Sequence, residues 1–199
     1  MSLARATLRS GVFRAWALSA LAAATLLLPR PAAARQVAGV EFADSIRVER
    51  ATLRLNGVAV YKKFGVRVLA AGLWLEHAES EPAVILRTDA PRRYVTHFLH
   101  GVSSKRICKA WKEGLEANSP NAAPEVQRNF RDLCAWIRDF KTGDELAVTY
   151  VPGRGSLVEI NGASVGSIPG KAFSDAYFAL ALGRKPGLGK NFKQRLLGG

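Results

Sequence analysis

Side chains that could bind a metal ion or perform catalysis are few in this sequence and are poorly spaced for either task. The only histidines are His77, His97 and His100. His97 and His100 lie three residues apart on a predicted strand, so their side chains point to opposite faces of a sheet. No local arrangement of serine, histidine and aspartate indicates a catalytic triad. We therefore predict no metal site and assign no catalytic residue from spacing.

Cys108 and Cys134 are the only two cysteines, too few for a disulfide scaffold or for a four-cysteine zinc site. They lie on two consecutive predicted helices, each next to an apolar stripe. In an oxidising compartment a disulfide between them would close a loop of about 27 residues and stabilise the fold by roughly 3 kcal/mol. A pair of buried free thiols is the alternative.

The segment from Val66 to Glu76 indicates where a site could lie, because both of its faces are apolar. Leu69, Ala71, Leu73 and Leu75 alternate with a second set that includes Trp74. A strand with two apolar faces is typical of a central strand covered on both sides. Helices or a ligand cavity must therefore pack against it.

The remaining segments predict strands first, then helices, then strands and helices again. An Asn56-Gly57 turn is expected between two paired strands, because both residues tolerate positive φ. Predicted strands cover 37–42, 48–56, 58–64, 66–76, 92–100, 145–151 and 156–160, and predicted helices cover 81–86, 103–118, 124–140, 170–182 and 188–197. This order favours an α+β fold with a mostly antiparallel sheet and helices stacked on it.

Several short motifs in this order resemble the chalcone isomerase-like family, and most closely its exported bacterial branch. They are Leu55-Asn56-Gly57-Val58, Lys62-Lys63-Phe64-Gly65, Ala70-Ala71-Gly72-Leu73-Trp74-Leu75-Glu76, Glu113-Gly114-Leu115 with Asn118, Gly143-Asp144, Tyr150-Val151-Pro152-Gly153-Arg154-Gly155, Asn161-Gly162, Gly166, Phe173, Leu182-Gly183 and Pro186. The resemblance spans nearly all of residues 37–198. It implies an open-faced β-sandwich, in which helices are layered on a large antiparallel sheet.

The resemblance implies two known behaviours. Plant chalcone isomerases close a chalcone into a flavanone, with an arginine that steadies the phenolate oxygen. Fatty-acid-binding members hold an acyl chain in the same cleft, with an arginine and a tyrosine on the carboxylate. In this sequence the arginine position falls at Tyr61 and the tyrosine position at Leu69, while two helix positions of the plant enzymes fall near Ile107 and Gly114. A neutral phenol at Tyr61 does not supply the permanent cation that stabilises an oxyanion, so isomerase activity is not supported.

Nearby cations could replace the missing arginine. Lys63 shares a predicted strand face with Tyr61, and Arg67 shares one with Leu69. The alternative is that both are solvated charges at a strand edge. The candidate ligand-binding residues are Tyr61, Lys63, Arg67, Leu69 and, on the apolar stripe of the first long helix, Trp111.

The N-terminal 34 residues have the pattern of a cleaved signal peptide. Arg5, Arg9 and Arg14 precede an apolar run at 15–28, and Ala32-Ala33-Ala34 provides a small-residue cleavage site. The run of about 14 residues is shorter than the ~20 that span a bilayer, although an uncleaved anchor is the alternative. We expect export to the periplasm and one domain over residues 35–199.

The chain contains 29 Lys and Arg against 16 Asp and Glu, a formal charge of +13, and 48% of its residues are hydrophobic. That apolar fraction excludes a disordered chain. Four of the basic residues belong to the predicted signal peptide, and the others are dispersed without interleaved exposed aromatics, so nucleic acid is not an expected partner. The basic C-terminal group from Arg184 to Arg195 is a candidate for contact with an anionic membrane.

Three functional hypotheses follow. The leading one is non-catalytic binding of a small apolar or amphipathic ligand such as a fatty acid, with no cofactor. The first alternative is an isomerase or lyase that acts on chalcone-like substrates. The second is an interaction module that docks to an acidic partner or a membrane surface.

Overall fold

A computed structural model describes residues 34–199, so the predicted signal peptide lies outside the described residues except for Ala34. The strands are β1 (Ala34–Val37), β2 (Val40–Ala43), β3 (Ser45–Val48), β4 (Ala51–Lys63), β5 (Val66–Leu75), β6 (Arg92–Phe98), β7 (Glu145–Val151), β8 (Gly155–Ile160) and β9 (Ala163–Ile168). The helices are α1 (Pro82–Arg87), α2 (Ser104–Asn118), α3 (Pro124–Trp136), α4 (Lys171–Leu182) and α5 (Lys190–Leu196).

Strands β3 to β9 form one curled antiparallel sheet of seven strands, in which each strand pairs with its neighbours in sequence. The helices pack on this sheet, and β1 and β2 form a separate hairpin. The predicted α+β class, with helices layered on a large antiparallel sheet, is confirmed.

Both faces of β5 are covered, as its two apolar faces predict. On one face Leu73 joins the large core formed with the helices, and on the other Trp74 joins a smaller core that includes Phe42 of β2. The Trp74 indole donates a hydrogen bond of 2.8 Å to the Ala43 carbonyl. A Cβ atom at Gly72 would lie 2.6 Å from the Trp74 ring, so only glycine lets the indole lie flat on the strand.

The prediction of a turn at Asn56-Gly57 is wrong, because β4 runs through both residues as one strand of 13 residues. The register between β4 and β5 shifts by one residue at Asn56, which is a β-bulge. The Asn56 amide donates to the Glu79 and Leu196 carbonyls, at 3.0 and 2.9 Å, and its oxygen accepts from the Glu79 N–H. These long-range hydrogen bonds override the local turn preference.

Further boundaries differ from the predictions. The first predicted strand is the hairpin of β1 and β2, and β3 and β9 are additional strands at the two edges of the sheet. Helix α3 ends at Trp136 instead of continuing to Phe140. Phe140 instead bridges to Val102 through two backbone hydrogen bonds and stacks on Phe98 with ring centroids 4.2 Å apart.

Helix α4 is fixed to the sheet by Arg92, whose side chain is almost completely buried. Its guanidinium donates to the Ile85 carbonyl of α1, to the Ser174 hydroxyl and to the Asp175 carboxylate. The guanidinium carbon also lies 4.8 Å from the Phe178 ring centroid. A buried cation is tolerated only with such complete pairing, and here the pairing sets the position of α4.

Within residues 34–199, no helix combines the length and the apolar character needed to cross a membrane.

Candidate functional site: a cavity between the sheet and helices α2 and α4

A cavity of about 310 Å³ lies between the concave face of the sheet and helices α2 and α4. We call it the central cavity. Its sheet wall consists of Tyr61, Lys63, Val68, Leu69, Tyr94, Thr96, Phe98 and Leu146. Its helix wall consists of Arg106, Ile107, Ala110, Trp111 and Gly114 of α2, and Tyr177, Phe178, Leu180 and Ala181 of α4. The loop residues His100, Gly101, Val102, Gly187 and Leu188 complete it.

The opening of the central cavity is basic. Lys63, His100 and Arg106 line the cavity and are all solvent-exposed. None of the described residues that line it is acidic. An anionic group at the opening would therefore meet the cations of Lys63 and Arg106 and no opposing carboxylate, whereas the interior is mostly apolar.

Two buried phenols stand in the interior. Tyr94 of β6 and Tyr177 of α4 pack edge to face with ring centroids 6.4 Å apart. Burial raises the pKa of both phenols above the ordinary value, so both stay neutral at physiological pH. A neutral phenol can donate a hydrogen bond to a carboxylate or carbonyl oxygen.

Four of the five sequence-predicted ligand-binding residues line the central cavity: Tyr61, Lys63, Leu69 and Trp111. Tyr61 pairs with Leu69 across β4 and β5, so the two positions at which the resemblance places arginine and tyrosine lie side by side. Trp111 contacts Tyr177, with ring centroids 6.0 Å apart. The structure thus brings these four positions together around one space.

Arg67 does not line the central cavity. The sequence prediction that it shares a face with Leu69 assumed that side chains alternate strictly along the strand, and a β-bulge interrupts that alternation. Between the pairs Tyr61–Leu69 and Lys62–Arg67 the register shifts by one residue, which leaves Val68 as a bulge. The bulge turns Arg67 to the outer face of the sheet, where it lies opposite Lys62 and is exposed. A single inserted residue therefore reverses the direction of this side chain.

Sequence reasoning missed Arg106, His100, Tyr94 and Tyr177 as lining residues. The sequence pattern places Arg106 on the solvated side of α2, but it lies next to buried Ile107 at the edge of the apolar stripe. Because a helical side chain leans toward the preceding turn, an arginine beside the stripe can reach over an adjoining cavity. The sequence offered one signal for Arg106. It adjoins Ile107, near which the resemblance places a functional residue of the plant enzymes.

Gly114 lets the two helices that line the cavity approach closely. A Cβ atom at this position would lie 2.7 Å from a Leu180 methyl group of α4. Leu180 therefore occupies the space beside Gly114 in this chain.

Cys108 and Cys134 are joined by a disulfide in the structure, with Cα atoms 5.7 Å apart. The bond ties α2 to α3, one helical turn before Trp111. It thus restrains the helix that carries Arg106, Ile107 and Trp111.

Alternative kinds of site are not formed by the described residues. Within residues 34–199, no group of three or more His, Cys, Asp or Glu side chains could hold a metal ion. A Gly-x-Ser-x-Gly spacing does occur at Gly162–Gly166, but it lies along edge strand β9. A nucleophile elbow requires a turn from a strand into a helix, so this serine is not placed for nucleophilic attack.

Comparison with known proteins agrees with this architecture. A crystal structure of a fatty-acid binding protein from Arabidopsis thaliana superposes with a TM-score of 0.61 at 18% sequence identity, covering 80% of this chain and 92% of that chain. A search of curated protein sequences found no significant match. The family model described as chalcone isomerase-like matches residues 34–198, and the chain therefore belongs to the chalcone isomerase-like family.

Proposed function

We propose that the central cavity binds a fatty acid or a similar small amphipathic carboxylate without transforming it. The observation that carries this proposal is the division of the cavity into an apolar interior and an opening with three basic side chains and no acid. An acyl chain fits the interior, and a carboxylate fits the opening. The Arabidopsis protein with the same fold is named for fatty-acid binding, which supports this ligand class.

The size of the cavity favours a short or medium-length acyl chain. Ligand cavities commonly range over about 300–1,000 Å³, and this one, at about 310 Å³, is near the lower end. Each methylene that enters the apolar interior adds roughly 0.8 kcal/mol. Affinity should therefore rise with chain length until the cavity is filled and then stop rising.

Native mass spectrometry with a series of saturated fatty acids tests this proposal. We expect one bound ligand per chain and a plateau in affinity as the acyl chain lengthens. A protein that purifies without ligand and retains no fatty acid of any length would contradict it.

A second candidate function is isomerisation of chalcone-like substrates. The supporting observation is that Lys63 and Arg106 line the same cavity as Tyr61, so cations are present although the family arginine is not. Turnover of a chalcone panel above the buffer rate, abolished in Lys63→Gln/Arg106→Gln, would support this function. Rates equal to buffer would contradict this function.

We further propose that the chain is exported to the periplasm after cleavage behind Ala34. The basic start, the apolar run and the Ala-Ala-Ala site of the sequence support this. N-terminal sequencing of protein from a periplasmic fraction should begin at Arg35. Recovery in the cytosol with an intact N-terminus would contradict export.

A further inference from the structure

The turn between β4 and β5 exposes an aromatic residue in an unfavourable backbone conformation. Phe64 and Gly65 form a two-residue turn with φ values of +50° and +81°. Such turns favour asparagine followed by glycine, because bulky side chains rarely adopt positive φ. Phe64 is nevertheless 95% exposed, and the neighbouring Val66 is 49% exposed. Neither core packing nor turn geometry accounts for phenylalanine at this position.

Basic side chains surround this exposed ring. We call residues Lys62–Arg67 the hairpin tip. Lys63 Nζ lies 5.7 Å from the Phe64 ring centroid, and Lys62 lies opposite Arg67 on the outer face. The sequence has no acidic residue from Gly57 to Leu75. Within residues 34–199, none of the three cations of the tip forms an ion pair.

The hairpin tip borders the opening of the central cavity. Tyr61 and Lys63 at the end of β4, and Val68 at the start of β5, all line that cavity. A surface that contacts the tip would therefore also face the opening.

We propose that the hairpin tip docks onto an anionic lipid surface, with Phe64 entering the interface and Lys62, Lys63 and Arg67 contacting anionic headgroups. An aromatic ring flanked by cations is the arrangement that binds such an interface. Two adjoining apolar side chains on a narrow hairpin offer too little area for a stable protein interface, which buries about 800 Å² per partner. A lipid surface needs no matching pocket, so it fits the tip better than a protein does.

The hairpin tip is distinct from the basic C-terminal group, the other candidate for membrane contact. Helix α5 contacts β4 at its other end, where Asn56 binds the Leu196 carbonyl and the Gly57 backbone abuts Arg195. Gly57 and Phe64 are seven residues apart along β4, which is about 23 Å at the rise of an extended strand. The two basic regions can therefore be tested separately.

The test measures partition of the purified full chain onto neutral phosphatidylcholine vesicles and onto vesicles containing one-third phosphatidylglycerol, without added fatty acid. Residues 1–33 are common to all variants, so differences between variants belong to the substituted sites. Phe64→Asn introduces the preferred turn residue, and Lys62→Gln/Arg67→Gln removes two outward charges without touching the cavity. Lys190→Gln/Arg195→Gln removes two exposed charges of α5 as the matched control.

We expect the wild-type chain to partition at least tenfold more strongly onto the anionic vesicles. Phe64→Asn and Lys62→Gln/Arg67→Gln should each lose most of this preference, whereas the C-terminal control should keep it. The fluorescence of the tryptophan introduced by Phe64→Trp is obtained by subtracting the wild-type spectrum, and its emission maximum should shift to shorter wavelength on binding to vesicles. The proposal would be overturned if wild type and Phe64→Asn partitioned equally onto anionic vesicles, or if only the C-terminal control lost partition. It would also be overturned if the emission of the tryptophan in Phe64→Trp did not shift on binding. Because no fatty acid is present, failure here is distinguishable from failure of ligand binding.

Discussion

At the scale of single residues, the cations at the cavity opening are the central feature. The family resemblance places the arginine position at Tyr61, a neutral phenol, while Lys63 and Arg106 supply positive charge from β4 and α2. The resemblance indicates only where a neutral residue stands. It did not predict the replacement from α2, because only the packed structure shows which residues of α2 reach the opening.

Lys63→Gln/Arg106→Gln should weaken carboxylate binding selectively. A hydrogen bond to a charged group contributes about 1.5–3 kcal/mol, so removal of both cations should lower fatty-acid affinity by roughly tenfold or more. The matching fatty alcohol, which has no charge, should bind wild type and variant alike. Equal losses for acid and alcohol would show that the cations only maintain the cavity.

Asp144 should make stability depend on acidic pH. The Arg138 guanidinium, the Lys141 N–H and the Asn161 amide hold the pKa of this carboxyl well below its usual value of 3.8. Below that usual value the unfolded chain takes up a proton before the native protein does, so the free energy of unfolding falls as pH decreases. Above it, the stabilisation is fully present.

Asp144→Asn tests this by urea unfolding at pH 6 and pH 3. The variant should lose stability at pH 6, and its stability should change less between the two pH values than that of wild type. Asp132→Asn, at an exposed aspartate of α3, should keep the wild-type dependence. An unchanged pH dependence in Asp144→Asn would contradict the role of this carboxylate.

At the scale of elements, the sequence patterns predicted the strands and helices with strong periodicity and missed those whose position depends on distant contacts. β5 was predicted as central because both of its faces are apolar, and both faces are covered. Asn56-Gly57 was misread because its turn preference is local, whereas its hydrogen bonds reach Glu79 and Leu196. β9 was missed because its small residues lack a clear alternation, and it lies exposed at the sheet edge.

The disulfide should stabilise the helix layer. Cys108 and Cys134 lie 26 residues apart, and closing a loop of this length contributes about 3 kcal/mol in the chain-entropy model. Cys108→Ser/Cys134→Ser should therefore unfold at lower urea, and reductant should shift wild type in the same direction. Two free thiols in unfolded, unreduced protein, or no response to reductant, would contradict the bond.

At the scale of the whole molecule, one sheet performs two tasks. Its convex face packs against the β1–β2 hairpin as a closed core, and its concave face packs against the helices but leaves the central cavity open beside Tyr94 and Tyr177. Most basic residues behind the +13 charge are dispersed, but Lys63 and Arg106 line the cavity, and Lys62 and Arg67 belong to the adjoining hairpin tip. Sequence periodicity predicted the layers, but the volume and lining of the cavity depend on close approaches such as Gly114 to Leu180.

The central claim is that an amphipathic carboxylate occupies the central cavity, and calorimetric titration of a medium-chain fatty acid into matched variants tests it most directly. Ala110→Phe places a ring in the cavity from an exposed position of α2, and Ala117→Phe places the same ring on exposed surface of that helix outside the cavity. We predict that wild type and Ala117→Phe bind one fatty acid with equal affinity, whereas Ala110→Phe loses at least tenfold. Equal affinity in all three proteins, or no binding by wild type, would contradict the account.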